Sequence, residues 1–387
     1  MVICFDCSER TKKALDKLLD IGGYTDYAEA VEIAVANQLA LQEHARRSGG
    51  LLISPGSSLA PGEAGSRDSA SRRGGASSRS AEQTRNPASA IPELFLRPDS
   101  DAAPSWLAPP PSMESEDGDS TPLNRWLLGQ YNKVLPAKAN CRALAHLLKG
   151  RDSGLPVEEV GVQIACQAAA LRESLAWLDR HYGLGRDDAL STGFPSGGVD
   201  AEKSRLRYAS HFVGSIDGQG HLSGLLVGLK LVNRSGDKDT CISLTEIGWD
   251  FAVLTNPILD RADDADSTCN GTERLTSVER EFLLNHIHRS VPTEDFAYRA
   301  ILAAISSGAN TPDHLDAALQ KYIPEDVASA LSKSFLCSQR SGAVSRMADL
   351  GLVRRIRDGL RVSYTITDFG RAFQAKPPEG TGGNRRG

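Results

Sequence analysis

The sequence predicts a mainly helical protein with short β hairpins, made of several units joined by a flexible tether. Segments with helical apolar spacing fill much of the chain from Leu123 onward, and pairs of short β-prone runs interrupt them. A Gly-, Ser- and Pro-rich stretch over residues 48–120 separates this body from a small N-terminal unit. The 387 residues suffice for two or three domains, since one domain takes roughly 100–200 residues.

Net charge, apolar run length and cysteine spacing exclude several classes of protein. The net charge of −5 lacks the basic excess of a non-specific nucleic-acid coat, so DNA binding would have to come from local patches. No apolar run approaches the roughly 18 residues of a membrane span. The N-terminus carries the acidic residues Asp6 and Glu9, where a signal peptide would be basic and then continuously apolar. Seven cysteines without regular spacing indicate buried thiols in a reducing compartment. We therefore predict a cytoplasmic protein that does not interact with membranes.

Residues 1–47 read as a strand, a helix, a Gly22-Gly23 break and a second helix. The pattern G-x-Y-x-x-x-x-E-A-[VI] from Gly22 to Val31 resembles the ribbon-helix-helix family of DNA-binding proteins (Arc/MetJ/CopG-like). So short a unit can hardly bury a core alone, and the resemblance implies an obligate homodimer that pairs the strands of two subunits. The dimerisation residues would be Ile3, Phe5, Cys7, Val31 and Val35.

The outward side chains of this strand are Val2, Cys4 and Asp6, and none is a donor suited to base edges. The unit therefore either only dimerises the protein or makes an unusual operator contact. Cys4 and Cys7 spell C-x-x-C, but residues three apart on a strand point to opposite faces, and no second pair follows at zinc spacing. We expect no metal and no cofactor.

Residues 48–120 are predicted to form a disordered linker, because their composition cannot bury enough apolar surface to offset the entropy of ordering. About 70 such residues span roughly 45 Å. Two apolar islands, Ile91–Leu96 and Trp106-Leu107, either dock on the body or on a partner or have only a local packing role. An acidic run from Asp99 to Asp119 either competes with DNA for basic patches or is simply solvated.

The C-terminal stretch 332–373 predicts a helix, a hairpin and the start of another helix. Gly351 ends the first helix, Asp358-Gly359 turns between strands 352–356 and 362–366, and Thr367 caps the last helix. Its sequence fits the pattern L-G-L-V-x-R…Y-x-[IL]-T-x-x-G at 350–355 and 364–370, and over about forty residues it resembles the winged-helix family of DNA-binding domains. The resemblance implies a recognition helix followed by a wing.

The same pattern occurs earlier in the chain. Leu231 corresponds to Leu352 at an offset of 121 residues, and Leu244 corresponds to Ile366 at an offset of 122. The repeat predicts two tandem winged-helix (α+β) units in a helical body, at 121–260 and 272–375, before a disordered tail at 376–387.

Both copies carry basic clusters. Six arginines between positions 340 and 361 oppose two aspartates, and six cations between positions 203 and 238 also oppose two, a net charge of +4 in each case. Side chains on the helices would meet the major groove, and those on the wings would reach phosphates or the minor groove. Alternatively, the arginines only keep the units soluble or bind protein. The predicted DNA-binding residues are Arg340, Ser341, Ser345, Arg346, Arg354, Arg355, Arg357 and Arg361, with Lys203, Arg205, Arg207, Arg234 and Lys238 in the first copy.

Catalytic motifs are lacking: there is no phosphate-binding G-x-x-x-x-G-K-[ST], no H-E-x-x-H and no G-x-S-x-G. His286 to Arg289 spell H-x-x-R, as in tyrosine recombinases, but no tyrosine follows at their spacing. We predict a dimeric, non-enzymatic protein that binds double-stranded DNA, either a transcriptional regulator or the DNA-recognition component of a plasmid, phage or genome-defence system. The alternative is an assembly scaffold whose winged-helix units bind proteins, and an enzyme of an unrecognised class stays open.

Overall fold

A computed structural model describes residues 91–99, 104, 107–110, 123, 126–235, 240–260, 272–323, 333–359 and 361–377. Apart from the turn at Asp217–Gln219, these residues belong to one compact unit. They are mainly helical with small antiparallel sheets, which confirms the coarse fold class predicted from the sequence. The N-terminal unit lies outside the described residues, with its dimerisation residues Ile3, Phe5, Cys7, Val31 and Val35, and so does Lys238.

The described residues form the α-helices α1 (Leu135–Leu148), α2 (Val157–His181), α3 (Ala201–Tyr208), α4 (Leu225–Gly228), α5 (Glu246–Val253), α6 (Ser277–Ser290), α7 (Pro292–Ser306), α8 (Pro312–Leu319), α9 (Lys333–Asp349) and α10 (Asp368–Ala375). The strands are β1 (Leu155–Pro156), β2 (Ser215–Ile216), β3 (Leu222–Ser223), β4 (Val232–Arg234), β5 (Cys241–Leu244), β6 (Val353–Asp358) and β7 (Arg361–Ile366). Short 3₁₀ turns at Glu93–Phe95 and Gln320–Tyr322 and a π turn at Ala209–Val213 complete the regular structure of these residues.

All three sheets are small. In the first, β5 lies between β1 and β4, with Val232 of β4 opposite Leu244 of β5. The second is the short β2–β3 hairpin. The third is the β6–β7 hairpin, paired from Val353 opposite Ile366 to Asp358 opposite Arg361. The two larger sheets therefore each contain one of the strand pairs that the repeat predicted.

Helix boundaries follow local signals in the sequence. Thr276 and Glu279 form a reciprocal capping box at the start of α6. Gly351 has a φ of 78°, a left-handed conformation that favours glycine, and it leads α9 into β6. The Thr367 side chain accepts a hydrogen bond from the Gly370 N–H at 2.9 Å, which starts α10. The last two observations confirm the predicted glycine at the end of the helix and the predicted threonine cap.

The two copies of the repeat share these contacts. Thr245 caps α5 by accepting from the Gly248 N–H, as Thr367 caps α10. The Thr245 hydroxyl donates to the Leu231 carbonyl at 3.1 Å, and the Thr367 hydroxyl makes the equivalent bond to Leu352 at 3.1 Å.

Tight backbone packing also recurs in both copies. A Cβ on Gly248 would collide with the Leu231 carbonyl, and one on Gly370 would collide with the Leu352 carbonyl. Both copies therefore require glycine at the third position after the threonine cap.

A buried polar cluster joins the two copies. Lys138 and Arg142 of α1 donate to the carbonyl of Leu254 at 2.7 and 2.9 Å, just beyond the C-terminus of α5. Lys138 also pairs with Glu279 of α6 at 3.1 Å, and burial lowers the pKa of Lys138 to about 8. His286 of α6 contacts the Leu229 carbonyl at 2.8 Å.

The apolar island at Ile91–Leu96 packs on this body, since Phe95 is buried and its carbonyl accepts from Arg142 at 3.2 Å. Of the alternatives that the sequence left open for Ile91–Leu96, the structure shows docking on the body. Among the described helices, none has both the length and the apolar character needed to cross a membrane.

Candidate nucleic-acid interface

The candidate interface is built around α9 and the β6–β7 hairpin. α9 buries Leu336, Val344 and Met347, while Ser341 is exposed and Ser345 is half-buried. Every residue from Arg354 to Gly359 is exposed, so this strand and its turn stand away from the core. A hairpin of this kind presents long cationic side chains without desolvating them.

A groove of about 770 Å³ lies along α9 and the hairpin, and segment 186–192 contributes to its lining. It is lined by seven cationic and three anionic side chains, a net charge of +4 in a chain of net charge −5. The cations are Lys133, Arg186, Arg274, Arg340, Arg354, Arg355 and Arg357, and the anions are Asp187, Asp188 and Asp349.

The hairpin is bridged to segment 186–192 by one carboxylate. Asp187 Oδ1 lies 2.9 Å from a guanidinium nitrogen of Arg355, and Asp187 Oδ2 lies 3.0 Å from one of Arg357. The Arg355 side chain is 39 % exposed and the Arg357 side chain is 53 % exposed. Ion pairs this exposed contribute little to stability, typically about 0–1 kcal/mol each.

Segment 186–192 is itself held firmly. The Asp179 carboxylate accepts from the backbone N–H groups of Leu190 at 2.6 Å and Ser191 at 3.1 Å. Arg274 donates to the backbone carbonyls of Asp187 at 3.0 Å and Ala189 at 3.3 Å. These bonds fix the position at which the segment presents Asp187 to the hairpin.

A second carboxylate in the groove, Asp349, lies at the end of α9. It accepts from the Val134 N–H at 3.1 Å and pairs with Arg274 at 2.8 Å and Lys133 at 3.5 Å. Burial lowers the pKa of Lys133, and the neighbouring Asp349 opposes that shift. This carboxylate neutralises part of the cationic charge contributed by Lys133 and Arg274.

Arg346 does not face this groove, which corrects the prediction that it contacts DNA. Its side chain is fully buried and pairs with both carboxylate oxygens of Glu294, at 2.6 and 3.1 Å. It also donates to the Tyr131 carbonyl at 2.7 Å. A guanidinium with these partners stabilises the packing of α9 on α7 and cannot reach a base edge.

Arg340 also differs from its predicted role. It lines the groove but is only 9 % exposed, and it pairs with the carboxylate of Asp316 on α8 at 2.8 and 3.3 Å. The predicted base contact by Arg340 is therefore replaced by an ion pair that fixes α9 to α8.

The opposite side of α9 is covered by the segment before α1. A Cβ on Gly342 would collide with the backbone of Gly129, and a Cβ on Gly129 would collide with the Ser338 carbonyl. The Gln339 side chain also donates to the carbonyls of Leu123 and Trp126, each at 3.4 Å. α9 is therefore exposed mainly along the stripe that includes Ser341.

The remaining predicted residues of the second copy are accessible. Arg354, Arg355, Arg357 and Arg361 are exposed on the hairpin. The structure thus brings Ser341 and Ser345 together with Arg354, Arg355 and Arg357 in one groove.

The first copy does not repeat this arrangement. Lys203 and Arg207 are exposed and Arg205 is half-buried on α3, but the β2–β3 hairpin separates that helix from β4. The helix that directly precedes β4 is the four-residue α4, and Arg234 of β4 bonds to the Gly220 carbonyl. Arg234 lies on the strand pair as predicted, but the prediction that Lys203, Arg205 and Arg207 lie on the helix directly before that pair is wrong.

Sequence reasoning missed Lys133, Arg186, Asp187 and Arg274, which line the groove from distant parts of the chain. A weak signal existed in the charged triplet 186–188, which follows the glycines that end α2. Nothing in the sequence placed that triplet beside a hairpin more than 160 residues later.

The described residues contain no group of three or more His, Cys, Asp or Glu side chains arranged to hold a metal ion. His286 and His288 have separate partners, the Leu229 carbonyl and the Asp295 carboxylate. Comparisons with protein families, with curated proteins and with solved structures find no match to this chain.

Proposed function

We propose that this protein binds DNA through the groove beside α9 and the β6–β7 hairpin. The observation that carries the proposal is the convergence of seven cationic side chains on one concave surface of a chain with net charge −5. Phosphate contacts supply most of the affinity of proteins for nucleic acids, and guanidinium groups bind phosphates with good geometry.

In this proposal the exposed hairpin arginines bind the DNA backbone, and Ser341 and Ser345 offer hydroxyl groups towards bases. The order of helix, hairpin and helix around β6–β7, and the position of β5 between β1 and β4, support an assignment to two winged-helix units. The exposed cations of α3, Lys203 and Arg207, would add phosphate contacts outside the groove.

The N-terminal unit, residues 1–47, would dimerise the protein as ribbon-helix-helix units do, so that two bodies act on one duplex. Two linked sites raise the overall affinity through effective concentration. A dimeric DNA-binding regulator, or the DNA-recognition component of a plasmid, phage or genome-defence system, fits this organisation.

The test is a titration of a labelled duplex at several salt concentrations. Wild-type protein should bind more weakly as salt rises, with a log–log slope of about −0.9 per neutralised phosphate. Arg354→Ala combined with Arg361→Ala should flatten that slope by about 2, because each variant removes one phosphate contact.

The matched control is Lys149→Ala combined with Arg172→Ala, which removes the same charge at positions outside both the groove and the β6–β7 hairpin. Equal loss of affinity in the two double variants would show that only net charge matters. No binding by the wild-type protein at low salt would refute the proposal.

A further inference from the structure

The inference concerns the carboxylate that bridges the hairpin to segment 186–192. Each oxygen of Asp187 is bound by a different guanidinium, that of Arg355 at 2.9 Å and that of Arg357 at 3.0 Å. Two guanidinium groups converging on separate oxygens of one anion form the arrangement that also binds a phosphate group. The structure thus contains a formed anion site on the hairpin, with an anion of the same chain in it.

Asp187 is presented to this site by contacts that do not depend on the hairpin. Its backbone carbonyl accepts from Arg274 at 3.0 Å, and Asp179 holds Leu190 and Ser191 nearby. The neighbouring Asp188 lines the same groove but forms no ion pair with any residue that the structure describes. The bridge is therefore specific to one of two adjacent carboxylates.

We propose that Arg355 and Arg357 form a phosphate subsite that Asp187 occupies in the free protein, and that a phosphate of bound DNA displaces this carboxylate. The inference rests on the proposed function and deepens it, because it names the subsite and an intramolecular competitor. Release of Asp187 would also uncouple the hairpin from segment 186–192 and widen access to Ser341 and Ser345.

The contacts suit reversible displacement. The side chain of Asp187 is 33 % exposed and those of its partners are more exposed, so water and salt screen both pairs. A polyanion that releases condensed counterions on binding can replace so weak an internal ligand. A buried bridge such as that of Arg346 and Glu294, in which both side chains are 0 % exposed, would not yield in this way.

The experiment compares Asp187→Asn with Asp188→Asn in the full chain, using a labelled duplex at low and moderate salt. Both variants remove one negative charge from the groove, but only the first frees the subsite. Asp187→Asn should strengthen binding roughly three- to tenfold, the range expected for removing two exposed ion pairs, and Asp188→Asn should strengthen it less.

Both variants are then repeated with Arg355→Ala and Arg357→Ala in the same chain. In that background the advantage of Asp187→Asn over Asp188→Asn should disappear, since the two effects act on one subsite. An equal gain from both variants in the wild-type background would overturn the inference, and so would an advantage that survives loss of the two arginines.

Failure of the proposed function has a different signature. If no variant binds duplex DNA at low salt, the DNA proposal fails, and the same four-way comparison with long-chain polyphosphate then tests the subsite alone. If Asp187→Asn binds polyphosphate more tightly than Asp188→Asn does, the result supports the phosphate subsite independently of DNA. Equal binding by the two variants would refute the subsite.

Discussion

Arg346 provides a sharp test of the assignment of α9 residues to stability or to DNA contact. Arg346→Met keeps an unbranched side chain but removes the charge, which leaves the Glu294 carboxylate at 0 % exposure without its cation. The Tyr131 carbonyl loses its donor in the same step.

Removing one partner of a buried ion pair costs about 3–5 kcal/mol, and an unsatisfied buried carbonyl adds about 1 kcal/mol or more. We therefore expect the free energy of unfolding to fall by about 4–6 kcal/mol, much of the roughly 5–15 kcal/mol that stabilises a typical domain. Adding Glu294→Met should restore most of this loss, because a buried ion pair replaced on both sides by apolar groups is often neutral.

The assay is urea unfolding followed by far-ultraviolet circular dichroism, with duplex binding measured on samples that are still folded. Arg346→Met should lower the midpoint strongly, whereas the salt dependence of DNA binding by the folded fraction should stay that of wild type. A loss below about 1 kcal/mol accompanied by weaker DNA binding would refute the structural role of Arg346.

Three further outcomes are expected. Gly342→Ala should lower the free energy of unfolding by about 1–3 kcal/mol, because its Cβ collides with the backbone of Gly129. Ser341→Ala beside it should leave that free energy nearly unchanged. Equal effects of the two variants in urea unfolding would contradict this packing. Burial lowers the pKa of His286 from 6.5, so below pH 6.5 the unfolded state binds more protons. Wild-type stability should then fall more steeply with acid than that of His286→Gln, by at most about 1.4 kcal/mol per pH unit, and parallel pH profiles would contradict this. A chain lacking residues 1–47 should be monomeric by light scattering, whereas a persistent dimer would place the interface elsewhere.

The local structure of the second copy could be predicted because its signals are local. Gly351, the hairpin turn and the Thr367 cap determine backbone conformation within a few residues, and the structure has Gly351 and the Thr367 cap at the predicted places. The turn begins one residue later than predicted, because Asp358 is the last residue of β6 and pairs with Arg361. The repeat could be found for the same reason, since each strand pair packs against its own threonine cap.

The roles of the arginines could not be predicted, because burial depends on distant segments. Arg340 and Arg346 have the sequence context of an exposed basic helix, but their partners lie on α8 and α7, 24 and 52 residues away. Likewise, helix propensity did not reveal that segment 126–134 covers one side of α9. The exposed hairpin arginines stayed candidates because short hairpins have little room to bury them.

The position of the basic residues in the first copy could not be predicted from the sequence either. At an offset of 121 the position equivalent to Arg340 is 219, so Lys203, Arg205 and Arg207 lie earlier in the repeat than Arg340 does. The β2–β3 hairpin then separates α3 from the strand pair that it was expected to precede. Sequence periodicity cannot reveal which of two successive helices adjoins a hairpin when one of them has only four residues.

The most direct test of DNA binding by this groove is photo-cross-linking from the hairpin turn. A photoreactive residue placed at the exposed Asp358, next to the groove-lining Arg357, should cross-link to a labelled duplex. One placed at the exposed Lys149, which lies outside both the groove and the hairpin, should not. Competition by unlabelled duplex should abolish the cross-link at position 358. Cross-linking of similar yield at both positions, or none at position 358 under conditions where the protein binds the duplex, would contradict the proposed interface.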